Sequence, residues 1–346
     1  MEVVLASMQG KLGIAVIGLG RIGESHLDGL RQNGDKAYIA AVVDIDEARA
    51  KASAERYQTK YYLSIDEALN DPSVQAAVVC LPHHLHKPVS IRIMEAGRHV
   101  LVEKPWAISS AEGKEMLAKA QEKGVVLMAG QSFRFMWAMW EAKQRVMRGE
   151  IGAPFNLLYI FAAPFTRDTA PPWWQDEEKT GGMAFTMYGA HTIDYTLWIY
   201  EGRKPVRVYA EARSINPDFE GMDEITITMR FDDDSMATNI LSVNTRPTKH
   251  ECLIVGPKGR IDVILRGGHV PGQLVGVFSG DLLVNGELVE SDSPRFHQFA
   301  AQMREFISAI SERREPIVRY AEMLTQLSVI EAAKKSAAIH QPVVLS

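Results

Sequence analysis

The chain reads as an α/β domain with a doubly wound parallel sheet, followed by an α+β domain with a large, mainly antiparallel open sheet. Three observations predict this. Short, uninterrupted apolar runs alternate with helical patterns as far as Met128, as expected of parallel strands joined by crossover helices. The first of those runs leads directly into a Gly-x-Gly-x-x-Gly turn. Past Gly130 the texture changes to β-branched runs separated by turns such as Asp232-Asp233-Asp234-Ser235, which read as hairpins.

At 346 residues the chain exceeds the size at which a single core stops growing, so two domains are expected, over 11–130 and 131–346. Residues 1–10 read as an untethered leader. The apolar fraction of 46% and charged fraction of 23% are those of a globular protein. A net charge of -5 argues against nucleic acid or an anionic membrane as partner, since either favours a basic face. No apolar stretch reaches membrane-spanning length. The two cysteines, Cys80 and Cys252, lack metal-type spacing and suit a reducing cytoplasm.

In order, Leu12 to Ile17 forms a buried strand that runs into Gly18, Gly20 and Gly23. The first glycine permits a tight turn, the second lets backbone approach a pyrophosphate, and the third lets the following helix pack closely. Arg21 and Ile22 open that helix, whose free N–H groups suit an anion. The strand Tyr38 to Val43 ends in Asp44, about 20 residues beyond the turn, where a carboxylate accepts from an adenosine ribose and repels a 2′-phosphate. NAD is therefore favoured over NADP. The alternative is that Asp44 caps the helix beginning near Asp46. Ser64 and Glu67 have capping-box spacing, and Ala76 to Cys80 is a further strand. The loop Leu81-Pro82-His83-His84-Leu85-His86 follows. With no carboxylate or cysteine ligands clustered nearby it is read as a strand-to-helix loop facing the cofactor through Leu81, Pro82, His83 and His86, not as a metal site. A strand ending at Glu103-Lys104-Pro105, a helix from Ser109 to Gly124 and a strand at Val125 to Met128 complete a Rossmann series.

Lys104 is the residue on which a reaction would turn. A lysine at the carboxyl end of a buried parallel strand lies where open α/β sheets bind ligands, and its pKa responds readily to burial. Pro105 biases it away from helical geometry and ends the strand. Glu-Lys-Pro by itself describes many solvated surface ion pairs, and its weight comes from the strand before it. Glu103 joins the residues expected around the cofactor.

In the second half, Gln131 to Phe135 leads into a helix ending near Gly149. Strands are expected at Phe155–Phe161, Val206–Arg213, Glu224–Phe231, Met236–Val243, Glu251–Val255 and Ile261–Leu265. Phe296, Phe299, Met303, Phe306 and Ile307 mark one face of a helix, a second helix spans about Tyr320 to Ala338, and both are expected on one face of the antiparallel sheet. Between them and the first strands stand Arg167, Trp173, Trp174, Tyr188, His191 and Asp194. Paired tryptophans suit a ligand with apolar C–H faces and hydroxyl edges, or else fill an inter-domain seam. Arg134, Arg167, Trp173, Trp174 and Tyr188 together suggest a polyhydroxylated ligand, with or without an anionic group. His191 and Asp194 are three apart on a helix, so the carboxylate could orient the imidazole, against the plainer reading of a buried histidine.

With the glycine turn, Asp44, the His83–His86 loop, Glu103-Lys104-Pro105, Gly181-Gly182…Gly189-Ala190-His191-Thr192-Ile193-Asp194 and the closing Pro342-Val343-Val344-Leu345 in the same order, the chain resembles the glucose-fructose oxidoreductase / inositol dehydrogenase / rhizopine catabolism (Gfo/Idh/MocA) family from Lys11 onward. The resemblance implies an NAD(P)-dependent enzyme that oxidises a secondary hydroxyl of a sugar, sugar derivative or cyclitol, or reduces the ketone. It implies that Lys104 meets the reacting oxygen and that His191 is an acid/base or substrate anchor. The family's usual catalytic aspartate and third glycine fall at Met187 and Met183; Lys104 and His191 are expected to suffice, with the proton passing through one of them or a water, and the adjacent Tyr188 is the candidate to take over the aspartate's task. Two alternatives are a tightly held cofactor recycled between two substrates and a non-catalytic NAD-binding sensor. A homodimer or homotetramer is expected, to cover the open sheet face.

Overall fold

In a computed structural model, residues 10–168, 170–268, 277–290 and 297–345 are described. Phe296 and all of the expected leader except Gly10 lie outside them. The apolar runs of the first half become β1 (Leu12–Ile17), β2 (Ala37–Val43), β3 (Lys60–Tyr62), β4 (Ala76–Val79), β5 (His99–Glu103) and β6 (Leu127–Gly130). They pair in parallel in the order β3-β2-β1-β4-β5-β6. β4 and the core of β1 are buried on both faces, which explains why their sequences lack alternation. The order reverses between β1 and β4, opening a crevice beyond the carboxyl ends of the strands. Gly18 and Lys104 follow immediately after β1 and β5, at that edge.

The second sheet contains β7 (Asn156–Ala162), β8 (Pro205–Arg213), β9 (Glu224–Phe231), β10 (Met236–Ser242), β11 (Lys249–Gly256), β12 (Gly259–Gly268), β13 (Val277–Val284), β14 (Glu287–Val289) and β15 (Val343–Val344), in the order β14-β13-β12-β11-β7-β10-β9-β8-β15. Every pairing is antiparallel except β7 with β10. The all-buried helix Gly189–Ile199 packs on its inner face. Among the described residues no helix is long and apolar enough to cross a membrane.

The two carboxy-terminal helices differ from expectation. Helix Gln298–Glu312 does present Phe299, Met303, Phe306 and Ile307 on one buried face, but that face docks on helix Arg21–Arg31 of the first domain. Contact there is close: a Cβ on Gly29 would lie 2.8 Å from the Phe299 carbonyl carbon, and Asn33 Nδ2 donates to Ala300 O at 2.9 Å. Helix Tyr320–Ile339 serves both cores, placing Met323 and Leu327 in the first and Val329, Ile330 and Ala333 in the second. An apolar stripe records that a helix is buried, not against what.

Candidate active site

Steric fit explains two of the motif glycines. Gly18 has φ +88°, and a Cβ there would stand 2.3 Å from the Cys80 carbonyl oxygen; one on Gly23 would meet the Gly18 oxygen at 2.0 Å. Gly20 differs, since its missing Cβ points into open space, with no atom within 4 Å. Helix Arg21–Arg31 starts there with no side-chain cap, so its first N–H groups face the crevice. This cradle fits a dinucleotide pyrophosphate.

Asp44 is buried at the end of β2. Its carboxylate accepts from Leu19 N at 2.8 Å, from Asp46 N at 2.9 Å and from the Arg49 guanidinium at 3.1 Å, tying the glycine turn to the second strand. The helix Glu47–Tyr57 is capped by Asp46, which accepts from Arg49 N at 3.1 Å. The capping role that competed for Asp44 thus belongs to its neighbour.

The histidine loop braces both domains. Leu81 and Pro82 lead into a short 3₁₀ turn, His83–Leu85. His83 Nδ1 lies 2.7 Å from the Thr180 carbonyl of the second domain, with the Trp173 ring edge-on at 4.7 Å. His86 sets Nδ1 against Pro105 O and Nε2 against Leu81 O, both at 2.7 Å, so it clamps the loop to the residue after Lys104. Burial pushes both imidazoles down from their ordinary pKa.

The Lys104-Pro105 peptide is cis. Lys104 Nζ donates to the main-chain oxygen of Met187 at 3.2 Å. Burial brings its pKa down to about 8, with the Glu103 carboxylate pulling the other way and the Arg21 guanidinium adding to the fall. Glu103 accepts from Lys104 N at 3.1 Å and faces His26 Nε2 at 2.8 Å. His191, 7% exposed, stacks on Phe133 with ring centroids 3.8 Å apart and planes 7° from parallel. Its Nδ1 is enclosed without a partner, and burial, reinforced by Lys104 and His250, drives its pKa well down. The ring is therefore neutral near pH 7. An enclosed N–H without an acceptor costs about 1–3 kcal/mol, which favours the tautomer that carries its hydrogen on Nε2.

Asp194 does not orient this imidazole. Its two oxygens take Arg134 Nε at 2.8 Å and Nη2 at 2.6 Å, and the same guanidinium reaches Glu322 at 2.8 Å and Ile317 O at 3.2 Å. Arg134 is wholly buried. Tyr188 donates to Ala163 O at 2.9 Å and stacks on Phe161 at 3.9 Å, and burial pushes its hydroxyl pKa up. Trp174 meets Phe165 edge-on at 4.5 Å. Arg167 is exposed on its loop, 4.0 Å from Asp218. Sequence reasoning missed His26, Phe133 and Glu322. Only His26 left a local signal, a histidine one turn inside the glycine-motif helix.

Residues 12–131 match the model of the oxidoreductase family with an NAD-binding Rossmann fold, and residues 139–262 match the GFO/IDH/MocA C-terminal domain. The chain belongs to the Gfo/Idh/MocA oxidoreductase family. It is similar to scyllo-inositol 2-dehydrogenase (NAD(+)) of Bacillus subtilis, with 28% identity across 98% of this chain and 97% of that one. It is also similar to 4-carboxy-2-hydroxymuconate-6-semialdehyde dehydrogenase of a Sphingobium species, at 29% identity over 90% of this chain and 94% of the relative. The structure of aldose-aldose oxidoreductase from Caulobacter crescentus complexed with glycerol superposes with a TM-score of 0.84 at 25% identity, over 97% of this chain and 100% of that one. This Gfo/Idh/MocA protein is thus an oxidoreductase with NAD as its cofactor.

Two positions set this chain apart from the pattern that the resemblance implied. Met183 stands where a third glycine was expected and has φ +24°, at the edge of the region glycine favours. Met187 stands where the aspartate was expected; its side chain is buried, and its carbonyl accepts from Lys104 Nζ.

Proposed function

We propose that this protein transfers a hydride between NAD and the carbon bearing a secondary hydroxyl in a sugar, sugar derivative or cyclitol, with Lys104 taking the hydroxyl proton. The observation that carries this is a lysine brought down to about 8 at the carboxyl end of β5, on the same edge as the glycine cradle. NAD, when bound, supplies the hydride acceptor. Neutral Lys104 receives the proton as the O–H bond breaks and the C=O bond forms. The Met187 carbonyl fixes its Nζ, and His191 Nε2–H donates to the substrate oxygen. With methionine at 187, the side chain there carries no proton, so Lys104 handles it. Trp173 and Trp174 offer apolar faces to the ring C–H groups, and Tyr188 contributes wall more than chemistry because its hydroxyl is engaged. Inositol 2-dehydrogenases of Bacillus subtilis and Thermotoga maritima among the relatives support this substrate class. A panel of inositols and aldoses mixed with protein and NAD should give NADH fluorescence with at least one member. A bound-NAD signal with no NADH from any would favour a sensor instead.

Asp44→Ser should raise the KM for NAD and improve use of NADP, because the carboxylate that repels a 2′-phosphate is gone. kcat/KM with each cofactor is the measurement. An unchanged ratio removes Asp44 from ribose recognition.

The outer face of the second sheet supports self-association. Leu158 and Ile160 on β7, Ile240 on β10 and Leu253 on β11 alternate with buried residues and are only partly covered. Register places Leu158 opposite Leu253 and Ile160 opposite Ile240, so the four form one apolar patch. A second copy of the chain is its occupant in this reading, giving a dimer or tetramer. Light scattering should report that assembly for the natural protein and a monomer for Ile160→Asp; a monomeric natural protein sinks the idea. The free thiols of Cys80 and Cys252 fit a reducing cytoplasm.

A further inference from the structure

We propose that His26 is a positioning residue of the reaction, holding the Glu103 carboxylate so that its charge sets the proton affinity of Lys104. This rests on the reading of Lys104 as proton acceptor. His26 lies three residues beyond Gly23, on the helix that begins at the glycine cradle, and is completely buried. Its Nε2 stands 2.8 Å from Glu103 Oε1, while Glu103 Oε2 accepts from Lys104 N at 3.1 Å. The carboxylate is wedged in place: a Cβ on Gly130 of the neighbouring strand would be 2.9 Å from Oε1, and Phe299 closes the far side of His26 with ring centroids 5.0 Å apart.

His26 Nδ1 is buried without a partner, so Nε2–H is the donor this ring brings to Glu103. Among the groups facing Lys104, Arg21 is cationic, His83, His86 and His191 are imidazoles, and Glu103 is the anion. Cys80 also faces Glu103, and His297 lies near both His26 and Asp28. The anion that opposes the effect of burial on Lys104 is therefore the one His26 holds. One hydrogen bond, His26 to Glu103, joins the cradle helix to the strand that presents the lysine, and a second ties that carboxylate to the lysine's own main chain.

The test is the pH dependence of Lys104 acetylation in the cofactor-free protein, read by peptide mass spectrometry, beside the pH profile of kcat. In His26→Leu, Glu103 loses a donor and pairs harder with Lys104, so both inflections should move alkaline by about one unit. His26→Gln keeps an N–H at that place and should titrate like the natural protein. An unmoved or acid-shifted lysine in His26→Leu, or an equal shift in His26→Gln, overturns the proposal. Should His26→Leu not fold, Glu103→Gln removes the same charge, and Lys104 should then titrate on the acid side of the natural inflection; no movement there also overturns it. Normal turnover in Lys104→Ala would instead remove the reading of Lys104 itself, while the acetylation titration would still report the coupling.

Discussion

Lys104→Ala should lower kcat by about 10²–10⁴-fold and leave NAD affinity nearly unchanged. The two effects should separate because the contacts proposed for the dinucleotide lie elsewhere, at the backbone after β1 and at Asp44 after β2, whereas Lys104 follows β5. The pH profile gives the same assignment a second test. Burial lowers the Lys104 pKa to about 8, and oxidation needs the neutral amine, so its rate should rise with pH through about 8 and level off above it. Ketone reduction needs the ammonium and should fall through the same point. In Lys104→Ala that inflection should vanish in both directions. Normal turnover, or an unaltered profile, would show that another group moves the proton.

Arg134→Leu is expected to cost about 3–5 kcal/mol of stability, because it leaves Asp194 as an unpaired charge in the interior. Burial disfavours the guanidinium, yet the charges of Asp194 and Glu322 outweigh it and push its pKa up, so Arg134 remains cationic. The double variant Arg134→Leu/Asp194→Leu should recover much of the loss, since exchanging both members of a buried pair for apolar groups is often near neutral. Urea unfolding of the two variants is the measurement. A stable Arg134→Leu whose defect is a raised substrate KM would return this arginine to the ligand-binding role that its position in the sequence suggests.

Residues whose roles depend on local backbone were legible in advance. Gly18 and Gly23 are required by close approaches within a strand–turn–helix unit, and Ser64 caps the helix that follows it in sequence. Residues whose partners come from distant segments were not. Arg134 looked available to a ligand and Asp194 to the His191 imidazole, because nothing in a linear chain records that a side chain 60 positions away consumes its hydrogen bonds. Tyr188 and His83 likewise spend polar atoms on carbonyls of other segments.

The sequence by itself determined the parallel order of apolar strands, the anion cradle, the acidic residue after β2 and the lysine after β5, since each follows from short-range sterics, hydrogen bonding and hydrophobic period. Only the tertiary structure decided which charges would neutralise one another, that His26 would stand behind Glu103, and that helix Gln298–Glu312 would close the first domain and not the second. Burial and partner choice are properties of space, and a pattern along one dimension carries the first as a demand and leaves the second to packing.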